Sequence, residues 1–412
     1  MTSPTFAIRA ARVVTCDPSR AREGDPLGAI DDGAVLVDDG AIAWIGRAAG
    51  IDPDVPVLDA GDAVITPGLV DAHTHAAWAG SRHAEYAVRM AGGDYEAIAK
   101  AGGGILSTQR AVASASEAAL ADALAARLRR MAQLGVLTCE VKSGYGLEPE
   151  HELKQLRAIA KAAATPGVPR VVPTFLALHA LPLAARADRA AYIRRVADEV
   201  LPEVAASKLA AFVDAYVDRN AFTVDEARRV GERARALGLG LRFHVGQFAD
   251  VGGAEMAADL GALSCDHLEH VSEAGLARMA AAGTHAVLLP LASFTLRQDP
   301  PPVAAMRAAG VRMVVASDAN PGTAPTESLP LSLAFAVRSY GLTPDEALLG
   351  ATQNAASSLG AAAAGLLREG GPADLVVWDL PHEHAIVQPW GVAKTRIVLR
   401  DGVALHDVRD GE

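Results

Sequence analysis

The sequence has few of the features that mark secreted, disulfide-bonded or membrane-spanning proteins. Three cysteines, Cys16, Cys139 and Cys265, lie far apart along 412 residues. This odd number predicts reduced thiols rather than a disulfide framework. The first residues lack a charged segment followed by an apolar one, so we expect no secretory signal. No apolar run approaches the ~20 residues of a membrane-spanning helix, so we expect no membrane partner and predict a cytoplasmic location.

Concentrated positive charge and aromatic side chains are also scarce. The formal net charge is −11, and basic clusters are no longer than pairs such as Arg129-Arg130. Nucleic-acid binding needs a concentrated positive surface, so we expect no nucleic-acid partner. Hydrophobic residues make up 50% of the chain and aromatic residues only 4%. This composition predicts a large core built from alanine, valine, leucine and isoleucine.

Both ends of the chain have the pattern of short β-strands separated by turns. Near the start, Asp39-Gly40 separates two apolar runs and is a strong hairpin signal. A similar turn, Asp401-Gly402, lies near the end. The predicted strands of the two ends are residues 7–14, 33–37, 41–45, 373–378, 395–399 and 403–405. Because chain termini often lie close together, we expect residues 1–65 and 365–412 to form one small sheet domain.

Between these ends, short apolar strands alternate with alanine-rich amphipathic helices. The eight predicted strands are residues 69–72, 135–140, 170–177, 211–217, 241–244, 263–267, 285–289 and 311–316. The clearest helices are predicted at residues 116–134, 150–163, 223–237 and 253–260. Ser116 is a predicted N-cap, and Thr223 with Glu226 forms a capping-box pattern. Eight such alternations predict an α/β fold, a parallel (β/α)8 barrel over residues 66–364.

His73 and His75 follow the apolar run at 63–70 and are the most informative pair in the chain. Side chains two residues apart in a strand point the same way, so these imidazoles would lie side by side. Such a pair is half of a metal site, or an ordinary pair of surface or core histidines. The residues at the other strand ends distinguish these two interpretations, because the active site of a barrel lies at the C-terminal ends of its strands. The polar residues at those predicted ends include His73, His75, Lys142, Tyr145, His179, His244, Asp266, His267 and Asp318.

Three imidazoles and one carboxylate in this set, from His73, His75, His244 and Asp318, suit one divalent ion with water completing its coordination. Such an ion lowers the pKa of its water toward neutrality and polarises a carbonyl oxygen. The alternatives are a satisfied core histidine at His244 and a helix or turn cap at Asp318.

The motif Pro67-Gly-Leu-Val-Asp-Ala-His-Thr-His75, with His244, His267 and Asp318, resembles the metal-dependent amidohydrolase superfamily. The resemblance implies a (β/α)8 TIM-like barrel and a small β-sandwich domain formed by both chain ends. Many members with two metals bridge them through a carboxylated lysine on the fourth strand. That strand contains no lysine here, and Lys142 on the second strand is predicted to be structural or solvated. We therefore expect one zinc or iron ion per subunit.

Further motifs resemble the imidazolonepropionase family over nearly the whole chain. They are Gly80-Ser-Arg82, Gly102-Gly-Gly-Ile105 with Ser107-Thr108, Glu140-Val-Lys-Ser-Gly-Tyr-Gly146, Asp266-His-Leu-Glu269 and Ser317-Asp-Ala-Asn-Pro-Gly-Thr323. The resemblance implies a hydrolase of cyclic amides in histidine degradation. Its metal-activated water would open 4-imidazolone-5-propanoate to N-formimidoyl-L-glutamate.

The polar residues suit such a small-molecule substrate. Arg82 offers bidentate hydrogen bonds to the propanoate, Tyr145 supplies a neutral donor, and His179 would donate to a ring or carbonyl oxygen. The loop residues Asn320, Gly322 and Thr323 would hold the amino-acid end of the product. The alternatives are a solvated charge at Arg82, a packing aromatic at Tyr145, a core histidine at His179 and a structural turn at residues 320–323.

One position departs from a pattern found in the family, which can place glutamate three residues after the fifth-strand ligand. This chain has Gln247, whose neutral amide can orient a ring nitrogen but cannot act as a base. We therefore assign proton transfer to Asp318 and His267 and substrate binding to Gln247. Glu269 and His270 are predicted to lie behind the site or on the surface.

Two other functions share parts of this pattern. A deaminase of the same superfamily, acting on a cytosine- or guanine-like ring, would use the same ligands and His267. It would not need Arg82 with Tyr145, which a substrate bearing a carboxylate does need. A non-catalytic assembly protein derived from an amidohydrolase commonly loses metal ligands, and none is missing here. We also expect a homodimer, the commonest symmetric assembly.

Overall fold

A computed structural model describes residues 5–92 and 103–408, so Gly102 of the Gly102–Ile105 motif lies outside the described residues. The described residues form these strands in chain order: Phe6–Val14 (β1), Ala29–Asp38 (β2), Ala41–Arg47 (β3), Val57–Asp59 (β4), Val64–Pro67 (β5), Leu69–Asp71 (β6), Val136–Lys142 (β7), Arg170–Leu178 (β8), Phe212–Val217 (β9), Gly240–Val245 (β10), Ser264–His267 (β11), His285–Leu288 (β12), Met313–Val315 (β13), Leu375–Trp378 (β14), Thr395–Arg400 (β15) and Val403–Asp407 (β16).

Strands β6 to β13 form a parallel sheet in which each strand lies beside the next one in sequence. A parallel bridge between Thr74 and Ala319 links the two ends of this sheet, so the strands make a nearly closed barrel. Each of the eight predicted barrel strands overlaps an observed strand, with boundaries that differ by at most two residues. The predicted (β/α)8 fold is confirmed.

Helices cover the outside of the barrel, as expected where parallel strands are joined by crossovers. The described α-helices are His83–Met90, Ile105–Ser114, Glu117–Gln133, Pro149–Ala163, Arg189–Arg195, Leu201–Ala206, Val224–Ala236, Gly253–Asp259, Glu273–Ala282, Pro290–Leu296, Val303–Ala309, Leu329–Tyr340, Pro344–Gly350 and Gln353–Ser358. Single helical turns of other types occur at Ala48–Gly50, Leu183–Ala187, Val196–Val200 and Glu383–Val387. Ser116 caps its helix through the Ala119 amide, and the capping box of Thr223 and Glu226 is present.

The two chain ends form a second sheet, in the order β16-β15-β14-β5-β1-β2-β3, with β4 beside β1. The predicted hairpin at Asp39-Gly40 joins β2 to β3, and both residues have a positive φ. This turn meets the one at Asp401-Gly402, since a Cβ on Gly40 would lie 2.8 Å from the Asp401 carbonyl oxygen. A separate sheet from both ends is confirmed. The boundaries at residues 65 and 365 stay a proposal, and β5 extends past the first of them.

The sheet of the chain ends packs on the barrel at its N-terminal side. The Trp378 indole of β14 lies over Gly135, which immediately precedes β7, and its Nε1 donates to Thr66 Oγ1 at 2.8 Å. The strand ends that hold the predicted site therefore face away from this contact. Within the described ranges, no helix is both long enough and apolar enough to span a membrane.

Candidate metal centre and active site

Three imidazoles meet at the C-terminal end of the barrel, as predicted. His73 and His75 follow β6, and His244 lies near the end of β10. The Nε2 atom of His75 lies 3.3 Å from that of His73 and 3.2 Å from that of His244. Asp318 Oδ1 lies 3.5 Å from both His73 Nε2 and His75 Nε2. The predicted ligand set is therefore one buried cluster.

Two aspartates behind this cluster fix the imidazole tautomers. Asp266 Oδ2 lies 2.7 Å from His73 Nδ1, and Asp214 Oδ2 lies 3.0 Å from His244 Nδ1. A carboxylate accepts, so each Nδ1 carries the proton and each Nε2 presents a lone pair. Burial and the charge of Lys142 also hold the pKa of His73 and His244 well below its ordinary value. The Nε2 lone pairs of His73 and His244 therefore point into one cluster, which fits a bound cation.

Lys142 is fully buried beneath the imidazoles, so of its two predicted roles the structural one applies and the solvated one does not. Its Nζ lies 2.9 Å from Glu140 Oε1, 2.8 Å from Asp214 Oδ2 and 3.7 Å from Asp266 Oδ2. Burial lowers the pKa of Lys142, but these carboxylates outweigh that effect and raise it. The ammonium thus occupies the space between the carboxylates that hold His73 and His244.

Asp318 and His267, the predicted proton-transfer pair, both reach the same cavity of about 560 Å³. Burial raises the pKa of Asp318 to about 7. Burial lowers the pKa of His267, but the negative charges of Glu269 and Asp318 outweigh this and raise it. Asp318 is therefore suited to exchange protons near neutral pH, and His267 to carry a proton more readily than an ordinary histidine.

Arg82 lines the cavity, but part of its guanidinium is already engaged. Its Nε and Nη2 donate to Glu85 at 2.7 and 2.5 Å. Glu85 also accepts from Arg89 and from the Gly104 amide. Arg82 Nη1 packs against Gly322, where a Cβ would overlap it. Sequence reasoning missed Glu85, although its helical spacing from Arg82 and Arg89 was a usable signal.

Tyr145 and His179 form an adjacent wall of the cavity. Their ring centroids lie 5.4 Å apart, and His179 stacks on His75 at 5.2 Å. His179 Nδ1 lies 2.7 Å from the Gly144 carbonyl oxygen, which can only accept. Burial lowers the pKa of His179 to about 4. In its neutral form Nε2 is therefore an acceptor, whereas the sequence-based prediction made His179 a donor.

Gln247 also lines the cavity and has a defined orientation. Tyr216 donates its hydroxyl to Gln247 Oε1 at 2.8 Å, which leaves the amide nitrogen as the group that can donate. Sequence reasoning missed Tyr216, because an aromatic residue in an apolar strand resembles ordinary core.

The loop after Asp318 is held by its own hydrogen bonds. Asn320 Oδ1 accepts from the amides of Gly322 and Thr323, and its Nδ2 donates to the Asp318 carbonyl oxygen and to Thr323 Oγ1. Asn320 and Thr323 line the cavity. These contacts give the loop the structural role weighed above, and its contact with substrate stays a prediction.

Comparison with known proteins agrees with this architecture. A model of the amidohydrolase family matches residues 64–405. Imidazolonepropionase of Polaromonas sp. is 44% identical over 398 residues, 95% of this chain and 93% of its own. Imidazolonepropionase of Ralstonia nicotianae is 45% identical over 389 residues, 93% of this chain and 95% of its own.

Solved structures show the same fold at lower identity. Triazine hydrolase from Arthrobacter aurescens has a TM-score of 0.74 and 15% identity, covering 98% of this chain and 95% of its own. An adenosine deaminase from Xanthomonas campestris with bound zinc has a TM-score of 0.72 and 20% identity, covering 97% and 92%. At such identities the likeness concerns the fold alone.

The matched family model and the barrel with its histidine cluster define the class: the chain belongs to the amidohydrolase family, whose members are metal-dependent hydrolases. Within that class, identities of 41–46% over most of both chains place it in the imidazolonepropionase family. The resemblance drawn from the sequence motifs is confirmed.

Proposed function

We propose that this protein hydrolyses 4-imidazolone-5-propanoate to N-formimidoyl-L-glutamate, a step of histidine degradation. The observation that carries the proposal is the convergence of three imidazole Nε2 atoms and one carboxylate on the floor of a cavity that also contains an arginine. Membership of the imidazolonepropionase family supports the same substrate. The imidazoles and the carboxylate could hold a metal ion that activates water for hydrolysis. The arginine suits a substrate that carries a carboxylate.

His73, His75, His244 and Asp318 would hold one divalent ion, with zinc preferred and iron as the alternative. The ion would supply a water of lowered pKa and would polarise the ring carbonyl. A single ion is favoured because the Lys142 ammonium already pairs with the carboxylates behind the histidines. Metal analysis of the purified protein tests both identity and count.

Asp318 moves the proton in this proposal. Its carboxylate accepts the proton that water loses on adding to the ring carbonyl carbon. It then returns that proton to the ring nitrogen as the carbon–nitrogen bond breaks, so the step is balanced without another reactant. A pKa of about 7 suits both halves of this transfer. His267 would stabilise the negative charge on the carbonyl oxygen by donating from its ring.

The cavity wall would orient the substrate. The propanoate would bind Arg82 through the donors that Glu85 leaves available, with Tyr145 as a neutral donor beside it. His179 Nε2 would accept from a ring N–H, because its Nδ1 proton is committed to Gly144. Gln247 would donate its amide N–H to the ring, and residues Asn320, Gly322 and Thr323 would close the site.

The test is turnover of imidazolonepropionate by purified protein of known metal content, with formimidoylglutamate measured as the product. Cytosine and guanine serve as control substrates, since the deaminase alternative predicts ammonia release from them. Absence of formimidoylglutamate at full metal occupancy would falsify the assigned substrate. The hydrolase class would still stand.

The assembly and the compartment also belong to this proposal. We expect a homodimer, and the scarcity of cysteine favours a location in the cytoplasm. Light scattering during gel filtration measures the assembly. A monomer mass at micromolar concentration would contradict the dimer.

A further inference from the structure

Two buried polar atoms face each other behind the cavity wall without forming a hydrogen bond. Among the described residues, His267 Nδ1 and Glu269 Oε2 have no hydrogen-bond partner, although both atoms are buried. They lie 3.8 Å apart, longer than the roughly 2.7–3.2 Å of such a bond. A movement of about 1 Å would therefore satisfy both atoms.

The other oxygen of Glu269 is firmly held. Ser293 Oγ donates to Glu269 Oε1 at 2.5 Å, and the Tyr340 hydroxyl lies 2.5 Å from Ser293 Oγ. Ser293 lies on helix Pro290–Leu296, and Tyr340 ends helix Leu329–Tyr340. Two helices thus fix the carboxylate, and its free oxygen is left facing the imidazole.

The backbone brings Glu269 to this place at a cost. His267 and Leu268 have φ values of 84° and 72°, a region that residues other than glycine seldom occupy. Leu268 N donates to Val245 O at 3.1 Å, and His270 N donates to Gly246 O at 2.8 Å. These bonds hold the reversed turn after β11. Consecutive strained residues of this kind are typical of functional sites.

We propose that Glu269 is a positioning residue for hydrolysis: it accepts the Nδ1 proton of His267 and holds that ring with Nε2 toward the cavity. This inference rests on the proposed function, because His267 acts on the substrate carbonyl there. Glu269 itself lies outside the cavity lining, whereas His267 is part of it. Closure of the 3.8 Å gap gives the imidazole one tautomer and one orientation.

The test is the Glu269→Gln variant, assayed with imidazolonepropionate beside the wild-type enzyme. The amide retains the size of the carboxylate and the bond from Ser293 but weakens the hold on His267. We expect kcat to fall by about 10- to 100-fold, with KM and bound metal per subunit changed by less than about threefold. The Ser293→Ala variant should show a smaller loss of the same kind, because the carboxylate is then less well fixed.

Glu383→Gln is the matched control. Glu383 is equally buried and is held by Arg12 at 2.6 and 2.7 Å, but it belongs to the region of the chain ends. Its loss should lower the free energy of unfolding and leave kcat unchanged. The inference would be overturned if Glu269→Gln left kcat unchanged or altered KM alone. It would also be overturned if kcat fell by the same factor in Glu269→Gln and in the control.

A readout that does not depend on turnover separates this inference from the assigned substrate. In protein labelled with ¹⁵N-histidine, the Nδ1 resonance of His267, identified by its absence in His267→Asn, should shift in Glu269→Gln. An Nδ1 resonance that stays unchanged contradicts the contact with Glu269. Lack of turnover by the wild type, with the shift present, contradicts the substrate and leaves the positioning contact standing.

Discussion

The barrel differs from the sheet of the chain ends in that it buries a group of charged side chains completely. The sheet of the chain ends encloses an apolar cluster that includes Ile8, Val35, Ile65 and Val377. The barrel instead buries Glu140, Lys142, Asp214, Arg242 and Asp266 completely at the end that carries the candidate site. Ion pairs in such a position are often no more stabilising than apolar residues of similar size. The comparison indicates that the barrel end is built to orient its histidines, and the other sheet to support the fold.

Loss of a proposed metal ligand should give the largest difference between the two regions. His73→Ala removes one of the converging Nε2 atoms, so we expect activity to fall by more than about 10³-fold with loss of bound metal. Ile65→Val, in the other sheet, should leave turnover unchanged and cost about 1 kcal/mol of the free energy of unfolding. Metal analysis and initial rates measure both. Retention of metal and fold by His73→Ala would favour the structural protein weighed in the sequence analysis.

The strand pattern and the meeting of the proposed ligands at one end of the barrel were predictable from sequence, because both depend on the order of residues along the chain. Alternation placed His73 beside His75, and strand counting brought His244 and Asp318 to the same end of the barrel. The partners behind them were not predictable to the same degree. Asp214 and Lys142 meet across 72 residues, and Glu85 meets the amide of Gly104. Such contacts depend on how strands and loops assemble in space. They leave no periodic pattern in a single sequence.

Removal of the buried cation should have the next largest effect, this time on stability. Lys142→Met leaves Glu140 and Asp214 without their counter-charge, so we expect the free energy of unfolding to fall by about 3–5 kcal/mol. The same Ile65→Val variant is the apolar reference. Denaturant unfolding followed by circular dichroism measures both. A smaller loss for Lys142→Met than for Ile65→Val would show that the buried charges do not depend on one another.

An arginine–glutamate pair occurs both in the cavity and at the chain-end sheet, so the two pairs can be compared directly. Arg82 binds Glu85 in the cavity through two bonds, and Arg12 binds Glu383 in the same manner at the chain-end sheet. We expect Arg82→Gln to raise KM by about 10- to 100-fold with little change in kcat, because a charge-assisted bond to the propanoate is lost. Arg12→Gln should lower stability and leave KM unchanged. Equal KM values in the two variants would argue against a carboxylate-bearing substrate.

The smallest effect concerns one ion pair that stabilises the chain-end region as a function of pH. The hydrogen bonds from Arg368 outweigh burial and hold the pKa of the Asp17 carboxyl well below its ordinary value. A lowered pKa in the folded state means that the stabilisation is present above about pH 4, the unfolded value, and is lost as the pH falls further. Because Arg368 is half exposed, we expect Asp17→Asn to cost only about 1 kcal/mol at pH 7. Thermal unfolding between about pH 3 and pH 7, a range that includes the pKa of an unfolded aspartate, should show this cost shrinking with acid, whereas the exposed Asp62→Asn control should match the wild type throughout. A cost that grows as the pH falls would mean that the folded protein holds Asp17 in its protonated form, which would contradict the stabilising pair with Arg368.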